Sequence, residues 1–261
     1  PGLVGVVERR VPFGVVGVIA PWNYPLTLAI SDAIPAMMAG NCVVVKPGVQ
    51  TTLSALWIAD LLQRAGLPPG VFTVVAGEGS VVGPLVIDRS DYVMFTGSTA
   101  VGRRVAARCG ELLIGCSMEL GGKNAMIVRG DADIAAAAAL ACRASFSNSG
   151  QLCISMERIY VDQSIVDEFL DAFARRTQAL RVSAQIGWGA DVGSLISQRQ
   201  RDRVAAHVEN AVTLGADVIV GGQPRPDIGP YFFEPTILTG VQEDMDVCRV
   251  ETFGPVVSVY P

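Results

Sequence analysis

The chain has 261 residues, half of them hydrophobic and only 17% charged, with 28 glycines and 15 prolines. That is enough chain for one large or two ordinary domains, mostly buried on at least one face and rich in turns. A formal net charge of −5 with dispersed Lys and Arg argues against a nucleic-acid partner, no run of 18 apolar residues spans a membrane, and no signal-peptide pattern opens the sequence; a cytoplasmic globular protein is expected. The six cysteines (Cys42, Cys109, Cys116, Cys142, Cys153 and Cys248) form no C-x-x-C pair, and His207 is the only histidine. Neither a metal site nor a disulfide scaffold is expected.

In chain order, the start (3–10) reads as a strand that leaves the main body. The apolar, β-branched run 15–20 reads as a buried parallel strand ending at Pro-Trp-Asn-Tyr-Pro, with a helix over 26–39. Strand 42–45 and helix 54–65 follow. Strand 71–75 leads through a Gly-rich turn with Gly77 to a helix near Val81, then strand 92–95 and a helix over 98–108. Strands alternating with helices at this spacing predict an open, doubly wound α/β sheet with ligand at the strands' carboxyl ends. A second α/β unit begins near Gly122: strand 124–128, an alanine-rich helix from 131 to about 147, a turn bearing Cys153, and strand 158–161. Helices over 164–180 and 198–214 and strands at 218–220 and 255–260 complete it.

Cys153 is the stretch around which the chain is organised. A thiol at a helix-to-strand turn suits a nucleophile, and equally a small buried hydrophobe. Gly97 and Ser98 open a helix after a strand, an anion site suited to a pyrophosphate; Ser98 alone also reads as an N-cap. Lys46 ends a strand, where it either bonds a cofactor ribose or sits on the surface. Glu119, in a glycine-rich apolar turn, reads as a general base or as the salt-bridge partner of Lys123. Asn23 is an oxyanion donor or closes an Asx-turn. Glu251 and Phe253 either grip a ribose and a planar ring or form an ordinary turn. His207, among Arg201, Arg203 and Glu209, reads as solvated surface.

Six motifs then stand in order: Pro-Trp-Asn at 21–23, Lys-Pro at 46–47, Gly-Ser-Thr at 97–99, Glu-Leu-Gly-Gly-Lys at 119–123, Gly-Gln-x-Cys at 150–153 and Glu-x-Phe-Gly-Pro at 251–255. Over essentially its whole length the chain resembles the aldehyde dehydrogenase superfamily, most like its NADP-dependent succinate-semialdehyde dehydrogenase branch. The resemblance implies a Rossmann-like cofactor domain (11–121), a nucleophile-bearing catalytic domain (122–261, incomplete at its C-terminal end) and, at 1–10, the remnant of an oligomerisation ribbon.

It also implies the chemistry. Cys153 attacks an aldehyde, Asn23 and the Cys153 N–H hold the oxyanion, and Glu119 activates the water that hydrolyses the thioester. Cofactor contacts are implied at Trp22, Lys46, Val49, Gly77, Gly97, Ser98, Leu120, Glu251 and Phe253. Val49 stands where members preferring NAD often carry a Glu, so NADP is favoured over NAD. The arginines that clamp a substrate carboxylate in that branch are replaced by Ser31 and Ser147, which bond without charge. Succinate semialdehyde and a neutral aldehyde are therefore both candidate substrates, and Ser155 replaces a cysteine that some relatives use as a redox switch. A homodimer or homotetramer is expected at full length, and an inactive cofactor-binding piece is the alternative for this chain by itself. Transfer to coenzyme A is disfavoured by the presence of Glu119.

Overall fold

A computed structural model of the protein describes residues 5–261. It divides into two compact units, one ending at Gly121 and the other starting at Gly122. No helix among the described residues is long and apolar enough to cross a membrane.

The first unit alternates strands and helices: β1 (Val15–Ile19), α1 (Pro25–Ile30), α2 (Ala33–Met38), β2 (Cys42–Lys46), α3 (Thr52–Arg64), β3 (Phe72–Val74), α4 (Gly79–Ile87), β4 (Tyr92–Thr96), α5 (Thr99–Leu112) and β5 (Gly115–Glu119). The strands form one parallel sheet in the order β3-β2-β1-β4-β5. Because side chains alternate along a strand, Val16 and Val18 of β1 enter a core with Val43, Val45, Ala29, Ala33, Ala55 and Ile58. Ile19 packs into a different cluster with Val93, Phe95, Val105 and Cys109. The sheet is thus covered on both faces, as the sequence pattern led us to expect.

Three details differ from that expectation. The helix expected over 26–39 is two short helices, because the ring of Pro35 excludes the carbonyl of Ser31, four residues earlier, from a continuous helix. β5 is an additional edge strand, bonded only to β4. The strand expected over 3–10 is not formed by residues 5–10, which pair with no strand and leave Val6 and Val7 exposed; Leu3 and Val4 lie outside the described residues.

The second unit runs β6 (Asn124–Val128), α6 (Ile134–Phe146), β7 (Met156–Val161), α7 (Val166–Gln178), α8 (Gln198–Thr213), β8 (Asp217–Val220), β9 (Thr236–Thr239), α9 (Asp246–Arg249) and β10 (Val256–Tyr260). Its sheet has the order β6-β7-β10-β9-β8, parallel except for the β8–β9 pair. Helices α6 and α7 cover a cluster of Val128, Ile159, Val161, Ile237, Val257 and Val259. α8 covers Leu238 and Val256 through Val204, Val208 and Ala211.

Candidate active site

Apart from Ser31, every site residue expected in the first unit sits at a strand's carboxyl end or within a few residues of it. Trp22 and Asn23, both half-buried, follow β1. Lys46 is the last residue of β2, and Val49, 43% exposed, stands three residues on. Gly77 follows β3, Gly97 and Ser98 follow β4, and Glu119 closes β5 with Leu120 beside it. Ser31 is exposed at the end of α1. In the order β3-β2-β1-β4-β5 the chain reverses direction of growth between β1 and β4, and the crevice beyond that switch point is where such sheets take ligands.

The local chemistry of this crevice suits an anionic, nucleotide-like group. Ser98 occupies the N-cap position of the 14-residue α5, but its side chain makes no capping bond. Lys46 is buried, contrary to the surface alternative; its Nζ donates to the Pro47 carbonyl at 2.7 Å. Burial pushes its amine down from the usual lysine range, against the nearby Glu78 carboxylate. Gly77 has φ 147, and a Cβ there would lie 2.5 Å from Val82 Cγ2, so glycine is required for the turn into α4. A Cβ on Gly102 would lie 2.4 Å from Leu120 Cδ2, which fixes Leu120 against α5.

The expected setting of Glu119 needs correction. It is exposed at the end of β5, where the sequence suggested an enclosing apolar turn. Lys123, the partner offered by the salt-bridge alternative, donates its Nζ to Glu157. Glu119 does bear on Asp32, whose carboxyl is raised first by burial and second by the Glu119 charge.

In the second unit the candidate residues stand at the amino ends of the strands, the reverse of the first unit. The Cys153 turn precedes β7, the 251–254 segment precedes β10, and Lys123 precedes β6. Local sequence dictates the Cys153 turn. Asp133 caps α6 through Ala136 N–H at 3.0 Å, and Ala137, Ala138 and Ala141 let the helix lie close to the sheet. Phe146 ends α6 in a stack on Phe173. The chain then turns through three consecutive left-handed residues, Asn148 (φ 51), Ser149 (φ 57) and Gly150 (φ 70). Strain of this kind is held only where the surroundings over-determine it.

Those surroundings are visible. Ser149 Oγ donates to the Gly193 carbonyl at 2.9 Å, and the buried Gln151 amide donates to the Asn148 and Ser194 carbonyls while accepting from Ile196 N–H at 2.9 Å. Asn124 Nδ2 donates to the Cys153 carbonyl at 2.6 Å and to that of Ser155 at 3.1 Å. Ser155, 2% exposed, donates back to the end of α6. Cys153 itself is half-buried on this braced turn. Ser147 Oγ donates to the Arg143 carbonyl at 2.6 Å, closing the last turn of α6.

The 251–254 segment is braced equally firmly. Glu251, half-buried, accepts from Gly122 N–H at 3.3 Å, and burial raises its carboxyl above the usual range. Phe253 is in the left-handed region, at φ 56. Its carbonyl and that of Thr252 accept from Gln200 Nε2 at 2.8 and 3.1 Å. Thr252 and Phe253 N–H both donate to the buried Glu157 carboxylate. His207 needs correction too: it is 8% exposed, not solvated, and its Nδ1 lies 3.2 Å from Thr252 Oγ1.

Sequence reasoning thus overlooked Asn124, Glu157, Gln200 and the burial of His207. Two signals were available. Glu157 alternates with Ile159 and Val161 on the buried face of β7, and His207 shares the 204, 208, 211 spacing of the buried face of α8.

Known proteins resemble this chain in sequence and in fold. The sequence profile of the Aldehyde dehydrogenase family matches residues 4–261. A protein of Mycolicibacterium smegmatis named putative succinate-semialdehyde dehydrogenase (NADP+) is 56% identical over 261 residues, all of this chain and 50% of its own length. The crystal structure of succinate-semialdehyde dehydrogenase from Burkholderia pseudomallei superposes with a TM-score of 0.93 at 38% identity, covering 96% of this chain and 52% of that one. The NAD+ complex of aldehyde dehydrogenase from Bacillus cereus gives 0.93 at 36% identity, covering 97% and 52%. The chain spans about half the length of the curated relatives it matches. With the family profile matching from residue 4 to residue 261, the chain belongs to the aldehyde dehydrogenase family.

Proposed function

We propose that this chain carries the cofactor-binding and nucleophile-bearing parts of an NAD(P)-dependent dehydrogenase that oxidises an aldehyde to its carboxylic acid. The observation that carries the reading is Cys153, half-buried on a turn whose left-handed residues are held by Ser149, Gln151 and Asn124. A thiolate there attacks the aldehyde carbon to give a thiohemiacetal, without needing a strong adjacent base. Asn23 serves as side-chain donor to the oxyanion together with the Cys153 N–H, an interaction whose loss typically costs ~10²–10³ in rate. The nicotinamide cofactor, when bound, takes the hydride. Glu119 then takes a proton from water, which hydrolyses the Cys153 thioester.

The first unit fits that cofactor. Uncapped N–H groups at the start of α5 suit a pyrophosphate, Lys46 brings a cation to the β2 end, and Val49 stands where a carboxylate would repel a 2′-phosphate. Trp22, Gly77, Gly97, Ser98 and Leu120 in this unit, and Glu251 and Phe253 in the other, are assigned to the same group. NADP is favoured, in keeping with the names of the relatives at 52–56% identity. Residues 11–121 are assigned as the cofactor domain and 122–261 as the catalytic domain. A homo-oligomer in the cytoplasm completes the proposal.

The relatives' names make succinate semialdehyde the first substrate to test. One observation favours a neutral aldehyde instead: the Ser147 hydroxyl already donates to the Arg143 carbonyl, and Ser31 brings no charge. Reduced-nicotinamide absorbance on the purified protein, comparing succinate semialdehyde with a neutral aldehyde of similar length under NADP and NAD, tests both. Cys153→Ala must abolish the signal while cofactor binding persists; unchanged turnover in that variant would overturn the reading.

A further inference from the structure

The Glu157 carboxylate is 2% exposed on β7, four residues beyond Cys153, yet it faces the segment before β10. Its oxygens accept from Thr252 N–H at 2.8 and 3.1 Å and from Phe253 N–H at 2.9 Å. Two successive backbone N–H groups converging on one anion form a nest, and the left-handed φ of Phe253 is what turns the second N–H inward. Lys123 Nζ donates to the same carboxylate and to Thr252 Oγ1, and lies next to Gly122, whose N–H holds Glu251. The backbone that carries Glu251 and Phe253 is therefore built around the Glu157–Lys123 ion pair.

We propose that Glu157, paired with Lys123, is a positioning residue that sets Glu251 and Phe253 in their cofactor-binding conformation. The proposal rests on the reading of those two residues as cofactor contacts. Replacing the carboxylate removes the charged acceptor of the Thr252 and Phe253 N–H groups and frees Phe253 to relax from its strained φ. The same strand also carries the Cys153 turn, so the pair ties cofactor position to the element that bears the nucleophile.

Breaking one half of a buried pair destabilises through the charge left behind, whereas removing both halves is close to neutral. The test is therefore Glu157→Gln, Lys123→Met and their combination in the purified protein. Thermal midpoint, NADP affinity by tryptophan fluorescence and the rate of Cys153 alkylation are measured on each. Each single variant should lower the midpoint. The double variant should regain it and alkylate Cys153 at the wild-type rate, yet bind NADP about tenfold more weakly. Wild-type NADP affinity in the stable double variant would mean the pair is structural only, and would overturn the proposal. Should the double variant fail to fold, Glu157→Asp keeps the charge but withdraws it from the nest, and is read in the same way. Phe253→Ala separates the two levels. If it leaves NADP affinity unchanged, the cofactor reading of the segment falls and takes the proposal with it. If it weakens binding while the double variant does not, the positioning role alone is lost.

Discussion

Gly150 lies against the backbone of Gly254, so close that a Cβ on it would stand 2.0 Å from the Gly254 carbonyl oxygen and 2.9 Å from Pro255 N. The turn that carries Cys153 is thereby seated on the segment that carries Glu251 and Phe253. Gly150→Ala meets both this clash and a φ of 70, so it is expected to cost at least ~2 kcal/mol. Urea unfolding measures the loss, and an unchanged midpoint would contradict the close approach.

Asn124 holds the other side of the same turn through the carbonyls of Cys153 and Ser155. Asn124→Ala removes both donors and should lower stability by about 1–2 kcal/mol. Aldehyde turnover should fall about tenfold with NADP affinity little changed. Asn124→Asp should be worse than Ala, because an ionised carboxylate only accepts and would face two carbonyl oxygens. Steady-state kinetics on the two variants decide it; Asp turning over faster than Ala would show that the contact is not a donation from position 124.

Position 49 offers a test of cofactor choice. Val49 is exposed and brings no charge to the end of β2. Val49→Glu should raise the KM for NADP about tenfold or more through repulsion of the 2′-phosphate, while the KM for NAD stays level or falls. Equal effects on the two cofactors would place the adenosine ribose away from this residue.

His207 gives a pH signature. Burial, then the Arg203 charge, holds its imidazole below the ordinary value of about 6.5. The unfolded chain therefore binds the proton more readily, and stability contributed by the neutral ring is lost as pH falls through about 6.5, levelling off below the lowered folded value. Denaturant midpoints of the native protein should drop between about pH 7.5 and 5.5 relative to His207→Gln. The comparison cancels the opposite trend from Glu251, whose raised carboxyl makes the folded state the better proton acceptor at lower pH. Parallel pH profiles for the two proteins would rule out a buried, neutral His207.

The doubly wound first sheet was legible in the sequence because its strands are β-branched runs interrupted by turns, and Val16, Val18, Val43 and Val45 fill the core as that pattern requires. β5 escaped because Gly115, Cys116, Ser117 and Met118 carry little β propensity, and the strand exists by pairing with β4. β9, four residues between Pro235 and Gly240, was missed although it is an interior strand paired on both sides. The sequence motifs located the Cys153 turn and the 251–255 segment, but not what braces them. Glu157, Gln200 and His207 act over separations of 45 to 96 residues, and no local pattern encodes such partners.

The chain's only two lysines are Lys46, which is buried, and Lys123, whose side chain is only 10% exposed, so every cationic side chain that meets solvent freely is a guanidinium. Reagents that acylate lysine side chains should therefore find almost nothing to react with while the protein is folded. Lys46 reports on the end of β2 and Lys123 on the pair with Glu157, one in each unit. Time-resolved acylation followed by peptide mapping would read the opening of the two units as two separate clocks.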